Sequence, residues 1–204
     1  MATNAYHFIT VWRVKGTMEE VTEIIGDAHG LACWWPSVYL DVNVLEEGDK
    51  KGAGKVVDLY TKGWLPYTLR WQFRVTEVRP DGFSLVAWGD FDGSGIWTFE
   101  QDGELVNITY DWKIKAEKPL LRYFSFIMKP LFSANHRWAM AKGEESLRLE
   151  LARRHAASQE ERELIPEPPE STPTSPLPLL LVSTTILVSL VGFSYMVRRL
   201  LSRD

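Results

Sequence analysis

The side chains of this sequence best suited to moving protons near neutral pH are its four histidines, His7, His29, His136 and His155. They show no HExxH spacing and no accompanying cysteine cluster, so their pattern carries no metal site. His29 precedes Gly30 in an expected helix or turn and reads as a surface or structural residue. His136 follows Asn135 in a helix-forming stretch, where both could face an interior cavity as ligand contacts. No paired base or nucleophile accompanies His136, so no catalytic residue is assigned. Asp90 and Asp92 flank Phe91 ahead of Gly93 and Gly95. Two carboxylates support acid–base work only where their environments differ, and a hairpin or exposed loop accounts for these more simply. The glycines lack the helix start and spacing of a phosphate-binding loop. Cys33 is the only cysteine, which excludes an intramolecular disulfide. Between Ala32 and Trp34 it is expected to be a small buried hydrophobe.

The other chemically informative set is aromatic. Trp71 and Phe73 fall on the apolar side of one expected strand, and Tyr110 and Trp112 on that of another. As core residues they need no ligand. As cavity lining they offer broad apolar area with a few hydrogen-bonding handles. Trp34, Trp35, Tyr39, Trp64 and Tyr67 lie near expected element ends and are expected to flank an entrance. The candidate ligand-binding set is therefore Trp35, Tyr39, Trp71, Phe73, Tyr110, Trp112, Asn135 and His136. Arg70 and Arg74 alternate with the apolar set and point outward.

The elements that must position these residues follow from period and punctuation. Tyr6 to Val14 alternates as a first strand. Thr17 and Glu20 form a capping-box pattern, and Met18, Val21, Ile24 and Ile25 give the helix they open an apolar face. A second short helix runs from Asp27 or Ala28 toward Trp34 and stops before Pro36. Strands follow at Val38–Leu45, Lys55–Thr61, a third containing Leu69, Trp71, Phe73 and Val75, then Phe83–Trp88, Gly95–Glu100, and a last one from Val106 to Lys115. Asp81-Gly82 and Asp102-Gly103 supply turns. Leu120 to about Arg154 is helical, with an interruption expected at Pro130. The result is an antiparallel meander whose apolar face is covered by a long final helix.

Composition sets outer bounds. The chain has 204 residues, 45% hydrophobic and 25% charged, as a globular protein has. Its net charge of −4 argues against a nucleic-acid partner, since phosphate binding needs a basic surface. The first residues lack the basic start and continuous apolar run of a secretory signal. Residues 156–176 combine five glutamates with five prolines and are expected to form an extended acidic linker. Residues 177–197 are uncharged and mostly apolar, long enough for a transmembrane helix, and residues 198–204 form a basic tail. The arginines of that tail favour a cytoplasmic C-terminus, whereas the missing export signal favours a cytosolic N-terminal domain. The expectation is a single-pass, C-terminally anchored membrane protein with its domain in the cytosol.

The order of elements, with the segments GDAHGLACWWPSVY and FSANHRWAMAKGEESLRLELARR, resembles the START/Bet v 1-like (SRPBCC) superfamily, and the second segment resembles its polyketide cyclase/dehydrase-like branch. The resemblance covers roughly residues 6–155. It implies an α+β helix-grip fold over residues 1–155, a curved antiparallel sheet around a long C-terminal helix, enclosing a hydrophobic cavity. It implies no cofactor and no universal catalytic motif. The expected function is membrane-tethered binding or transfer of a hydrophobic small molecule or lipid. The alternatives are a polyketide cyclase/dehydratase-like enzyme and a non-catalytic membrane adaptor domain.

Overall fold

Alternation of large apolar and polar residues builds one sheet. The computed structural model describes residues 5–116 and 125–173. In it, strand β1 (Ala5–Lys15) leads into helices α1 (Met18–Gly26) and α2 (Leu31–Trp34). Six strands follow: β2 (Tyr39–Glu46), β3 (Val56–Lys62), β4 (Thr68–Arg79), β5 (Gly82–Gly89), β6 (Phe91–Asp102) and β7 (Leu105–Ala116). Helix α3 (Ser125–His155) and a short α4 (Gln159–Glu163) complete the described elements. The sheet is antiparallel in the order β1-β7-β6-β5-β4-β3-β2. It is a meander except that the first strand closes onto the last, with Tyr6 opposite Ile114 and Trp12 opposite Ile108.

Local chemistry explains the elements. Thr17 caps α1: its hydroxyl accepts from Glu20 N at 3.3 Å, and the Glu20 carboxylate accepts from Thr17 N at 2.8 Å. That helix buries Val21, Ile24 and Ile25. Register shifts in β2 and in β4 between Val75 and Glu77 interrupt the pairing, and such bulges bend a strand and increase its twist. Inward residues of the strands, among them Trp12, Val57, Leu59, Phe73, Val75, Phe99, Val106 and Ile108, join Leu147 and Leu151 of α3 in one core. Helix α3 packs on β1, α1 on β6, and α2 on β2.

Three expectations are corrected. Helix α3 runs through Pro130 without the expected interruption. Proline's missing N–H and ring clash act on the preceding turn, and Pro130 lies close enough to the start of the described helix that most of its length is unaffected. Cys33 is exposed rather than buried, because α2 turns Leu31 and Trp34 inward and Cys33 the other way. The third correction concerns the membrane. Among the described residues no helix is long and apolar enough to cross a bilayer. The one long described helix, α3, carries Lys142, Glu144, Glu145, Arg148, Glu150, Arg153 and Arg154, and it buries its apolar residues against the protein's own sheet. The segment 177–197, on which the span was placed, lies outside the described residues. The single-pass topology, the bilayer as partner and the cytosolic placement derived from it fall with the span.

Within the stretch read as a linker, Ser158 caps α4 by accepting from Glu161 N at 3.1 Å. The chain then returns along the domain. The Arg153 guanidinium donates to the Pro166 carbonyl and lies 3.3 Å from the Glu167 carboxylate. Farther on, Thr172 meets Lys62 and Gly63 at the end of β3. Residues 1–172 cluster as one compact unit.

Candidate functional site

The concave face of the sheet is paved with rings. On β6 and β7, Trp97 stacks on Tyr110 at 4.0 Å between centroids and 13° between planes, and Tyr110 continues onto Trp112 at 5.4 Å. Trp112 meets Phe91 edge-on at 5.7 Å, and Phe91 meets Trp71 of β4 at 4.9 Å. Gly95 makes this wall possible. A Cβ there would stand 2.8 Å from the Tyr110 ring and 2.9 Å from that of Trp112. Only a residue without a side chain lets both rings lie over the β6 backbone.

A cavity of about 200 Å³ lies between this wall and α3. All eight candidate residues line it: Trp35, Tyr39, Trp71, Phe73, Tyr110, Trp112, Asn135 and His136. Of the residues expected at its entrance, Trp34, Trp35, Tyr39 and Tyr67 line it, with both tryptophans deeply buried. Trp64 is 36% exposed and stands outside the lining. Reading the sequence residue by residue missed Tyr6, Phe8, Thr61, Lys62 and Phe132, which also line the cavity. Tyr6 and Phe8 were recoverable, because they share strand parity with Trp12 and Val14. Nothing in the sequence pattern singled out Lys62.

The polar groups are few and placed. His136 stacks on Phe8 at 4.1 Å and 18°. Burial, with the Arg137 charge adding to it, pushes the His136 imidazole down to about 4, so the ring is neutral at physiological pH. Burial also raises the phenols of Tyr39, Tyr67 and Tyr110, with the neighbouring Tyr39 adding to the effect at Tyr110, and all three stay protonated. The Trp71 indole donates to Thr61 Oγ1 at 3.0 Å. Asn135 Oδ1 accepts from Leu65 N at 3.1 Å, tying α3 to the segment after β3. Four buried polar atoms on lining residues, Tyr6 OH, Trp34 Nε1, Trp35 Nε1 and His136 Nε2, have no hydrogen-bond partner among the described residues. An unmade buried hydrogen bond costs about 1–3 kcal/mol.

The remaining candidates lie elsewhere. Asp90 Oδ2 accepts from Arg70 N at 3.0 Å, and Asp92 is exposed at the start of β6. His7 pairs with Asp111 at 2.9 Å, His29 with Glu47 at 3.2 Å and His155 with Glu20 at 2.7 Å. Arg70 lies over the Tyr60 ring at 4.5 Å. Among the described residues no group of histidine, cysteine and carboxylate side chains is arranged to hold a metal.

No family model matches the chain, and no curated protein matches it by sequence. Solved structures do. It is similar to the Zhui aromatase/cyclase of Streptomyces sp. R1128, with a TM-score of 0.60 and 17% identity over 76% of this chain and 98% of that one. A START superfamily protein of Mycobacterium smegmatis gives a TM-score of 0.57 at 13% identity, over 71% and 96% of the two chains. The fold is the helix-grip fold of the START/Bet v 1-like superfamily. A Thermus thermophilus protein shares it at a TM-score of 0.56 and 18% identity, over 70% of this chain and 91% of that one. These identities establish the fold and not the activity. In this helix-grip domain the grip is formed by α3 lying over β1 and the aromatic wall.

Proposed function

We propose that the domain binds a compact, ring-bearing hydrophobic small molecule in its internal cavity. The observation that carries this reading is the aromatic wall facing, across one largely apolar cavity, polar groups unpartnered among the described residues. Apolar pockets with a small number of placed polar groups are the usual form of small-molecule sites. Size narrows the class. An engineered apolar cavity of roughly 150 Å³ takes up benzene, so a cavity of about 200 Å³ suits a body of one or two fused rings. Binding would follow from apolar burial, ring stacking and acceptor groups offered to Tyr6 OH, Trp34 Nε1 or Trp35 Nε1. The adaptor alternative requires a filled interior, which the cavity disfavours.

The test is calorimetric titration of the full chain with a panel of one- and two-ring aromatic compounds, paired with native mass spectrometry of protein taken from cell extract. Saturable one-to-one binding is expected. Ala139→Trp, which places an indole in the cavity from α3, should abolish it while the melting transition remains cooperative. Binding that survives Ala139→Trp, or no binding across the panel, would sink the proposal.

A second reading, a cyclase- or dehydratase-like reaction, is favoured by one specific observation. His136 presents to the cavity a neutral imidazole whose Nε2 is unpartnered among the described residues. Such a group can accept a proton next to a carbonyl and return it to a leaving hydroxyl. The Streptomyces relative is named as an aromatase/cyclase. Incubating the chain with a short poly-β-ketone thioester decides the matter. The reading requires ring-closed product formed faster than in buffer, and slower with His136→Gln.

A further inference from the structure

Among the described residues the cavity has one lining residue that ordinarily carries a charge, Lys62, and it is 4% exposed. A buried cation is costly unless it is paired, and an ammonium has three donors to place. Among the described residues no carboxylate pairs with Lys62. Its ammonium donates to a single acceptor, the backbone carbonyl of Thr172. The rest of the rim is pinned. Lys62 N donates to Val38 O at 3.0 Å, Asn135 holds Leu65 N, and a Cβ on Gly63 would stand 2.2 Å from Asn135 Oδ1. Thr172 is seated by two contacts, because its hydroxyl also donates to the Gly63 carbonyl at 3.3 Å. It sits at the end of a proline-stiffened return segment anchored upstream at Arg153.

We infer that Lys62 is an anion site at the cavity rim, that Thr172 covers it as a displaceable strap, and that the cavity's ligand is an amphipathic acid whose carboxylate takes the place of the Thr172 carbonyl. This inference rests on the ligand-binding reading above and specifies its substrate class. A carboxylate satisfies a buried ammonium better than a backbone dipole does, since it brings a full opposite charge as well as acceptor oxygens. The exchange needs only the residues around Thr172 to lift, because the Arg153 contacts with Pro166 and Glu167 hold the segment farther back. The aromatic wall would receive the ring body, and Lys62 would set the preference among ring bodies of similar shape.

The test compares naphthoic acid with naphthamide, a pair matched in shape and differing in charge, by calorimetric titration of the full chain at neutral pH. The acid is expected to bind roughly tenfold tighter or better. Lys62→Met should remove that preference, with a cooperative melting transition reporting that the variant is folded. Lys62→Arg should restore it. Amide exchange over residues 170–172 should quicken with the acid and not with the amide. Equal affinities in the wild type, a preference that persists in Lys62→Met, unaltered exchange of the strap, or an exchange response reproduced by acetate alone would each overturn the inference. If neither compound binds while other panel members do, the acid assignment fails and the cavity reading stands. If no compound binds, both fail together.

Discussion

His136 reports on the cavity through its proton. Its folded pKa near 4 lies below the ordinary value of 6.5 because burial penalises the imidazolium. The unfolded chain therefore takes up the proton first as pH falls, and stability present above pH 6.5 is lost progressively toward pH 4. The full shift corresponds to roughly 3 kcal/mol. Urea unfolding between pH 7 and pH 4 should show wild type losing more stability than His136→Phe, with the difference confined to that interval. Parallel curves for the two proteins would contradict the assignment. Residue identity also explains what was legible here. Strict alternation assigns Trp71, Phe73, Tyr110 and Trp112 to the apolar side, and all four line the cavity. Lys62 escaped notice because an isolated lysine at a strand end reads as solvent-facing. The acceptor of its ammonium, the Thr172 carbonyl, lies 110 positions away.

Element against element, one tight constraint is the crossing of the C-terminal end of α2 over α3. A Cβ on Gly143 would stand 2.3 Å from the Trp35 ring. Alanine in a helix interior normally gains about 1 kcal/mol over glycine, whereas overpacking costs roughly 1–3 kcal/mol. Gly143→Ala should therefore destabilise the protein. It should also move Trp35, an effect visible as a lower melting temperature with an altered near-ultraviolet spectrum of the aromatic cluster. A stabilised variant would show that α2 yields freely. Asn135 makes the complementary contact to the segment after β3. Asn135→Ala should speed amide exchange at Leu65, whose N–H loses its acceptor. Strand positions were readable because period two and the Asp-Gly turns recur along the meander. The sequence pattern missed the continuity of α3 through Pro130, because helix propensity weighs the proline and not its place near the start of the described helix. Cys33 was misassigned for a related reason: four residues of α2 are too few for a periodic signal to say which side faces in.

At the scale of the whole molecule, binding and folding are one equilibrium. A ligand at about one hundred times its dissociation constant stabilises the state that binds it by about 2.7 kcal/mol. For a domain of this size that raises the melting temperature by roughly 5 to 10 °C. Scanning calorimetry with an aromatic acid should show this shift, and Ala139→Trp should lose it. The helix-grip arrangement was accessible from element order and family resemblance. The expected membrane span rested on one apolar run considered apart from the fold, and the described residues contain no helix that fits it.

The pairing of β1 with β7 has a consequence in time. The first strand leaves the ribosome with its partner still untranslated, and Trp12 must wait for Ile108 before its edge is covered. At roughly 5–20 residues per second that wait lasts several seconds, during which an apolar edge is open to other chains. Helix α3, whose Leu147 and Leu151 complete the core, arrives later still. The cavity can therefore form only when synthesis of the domain is nearly finished. Premature termination anywhere before α3 should leave an aggregation-prone sheet with its apolar face uncovered, and no binding site.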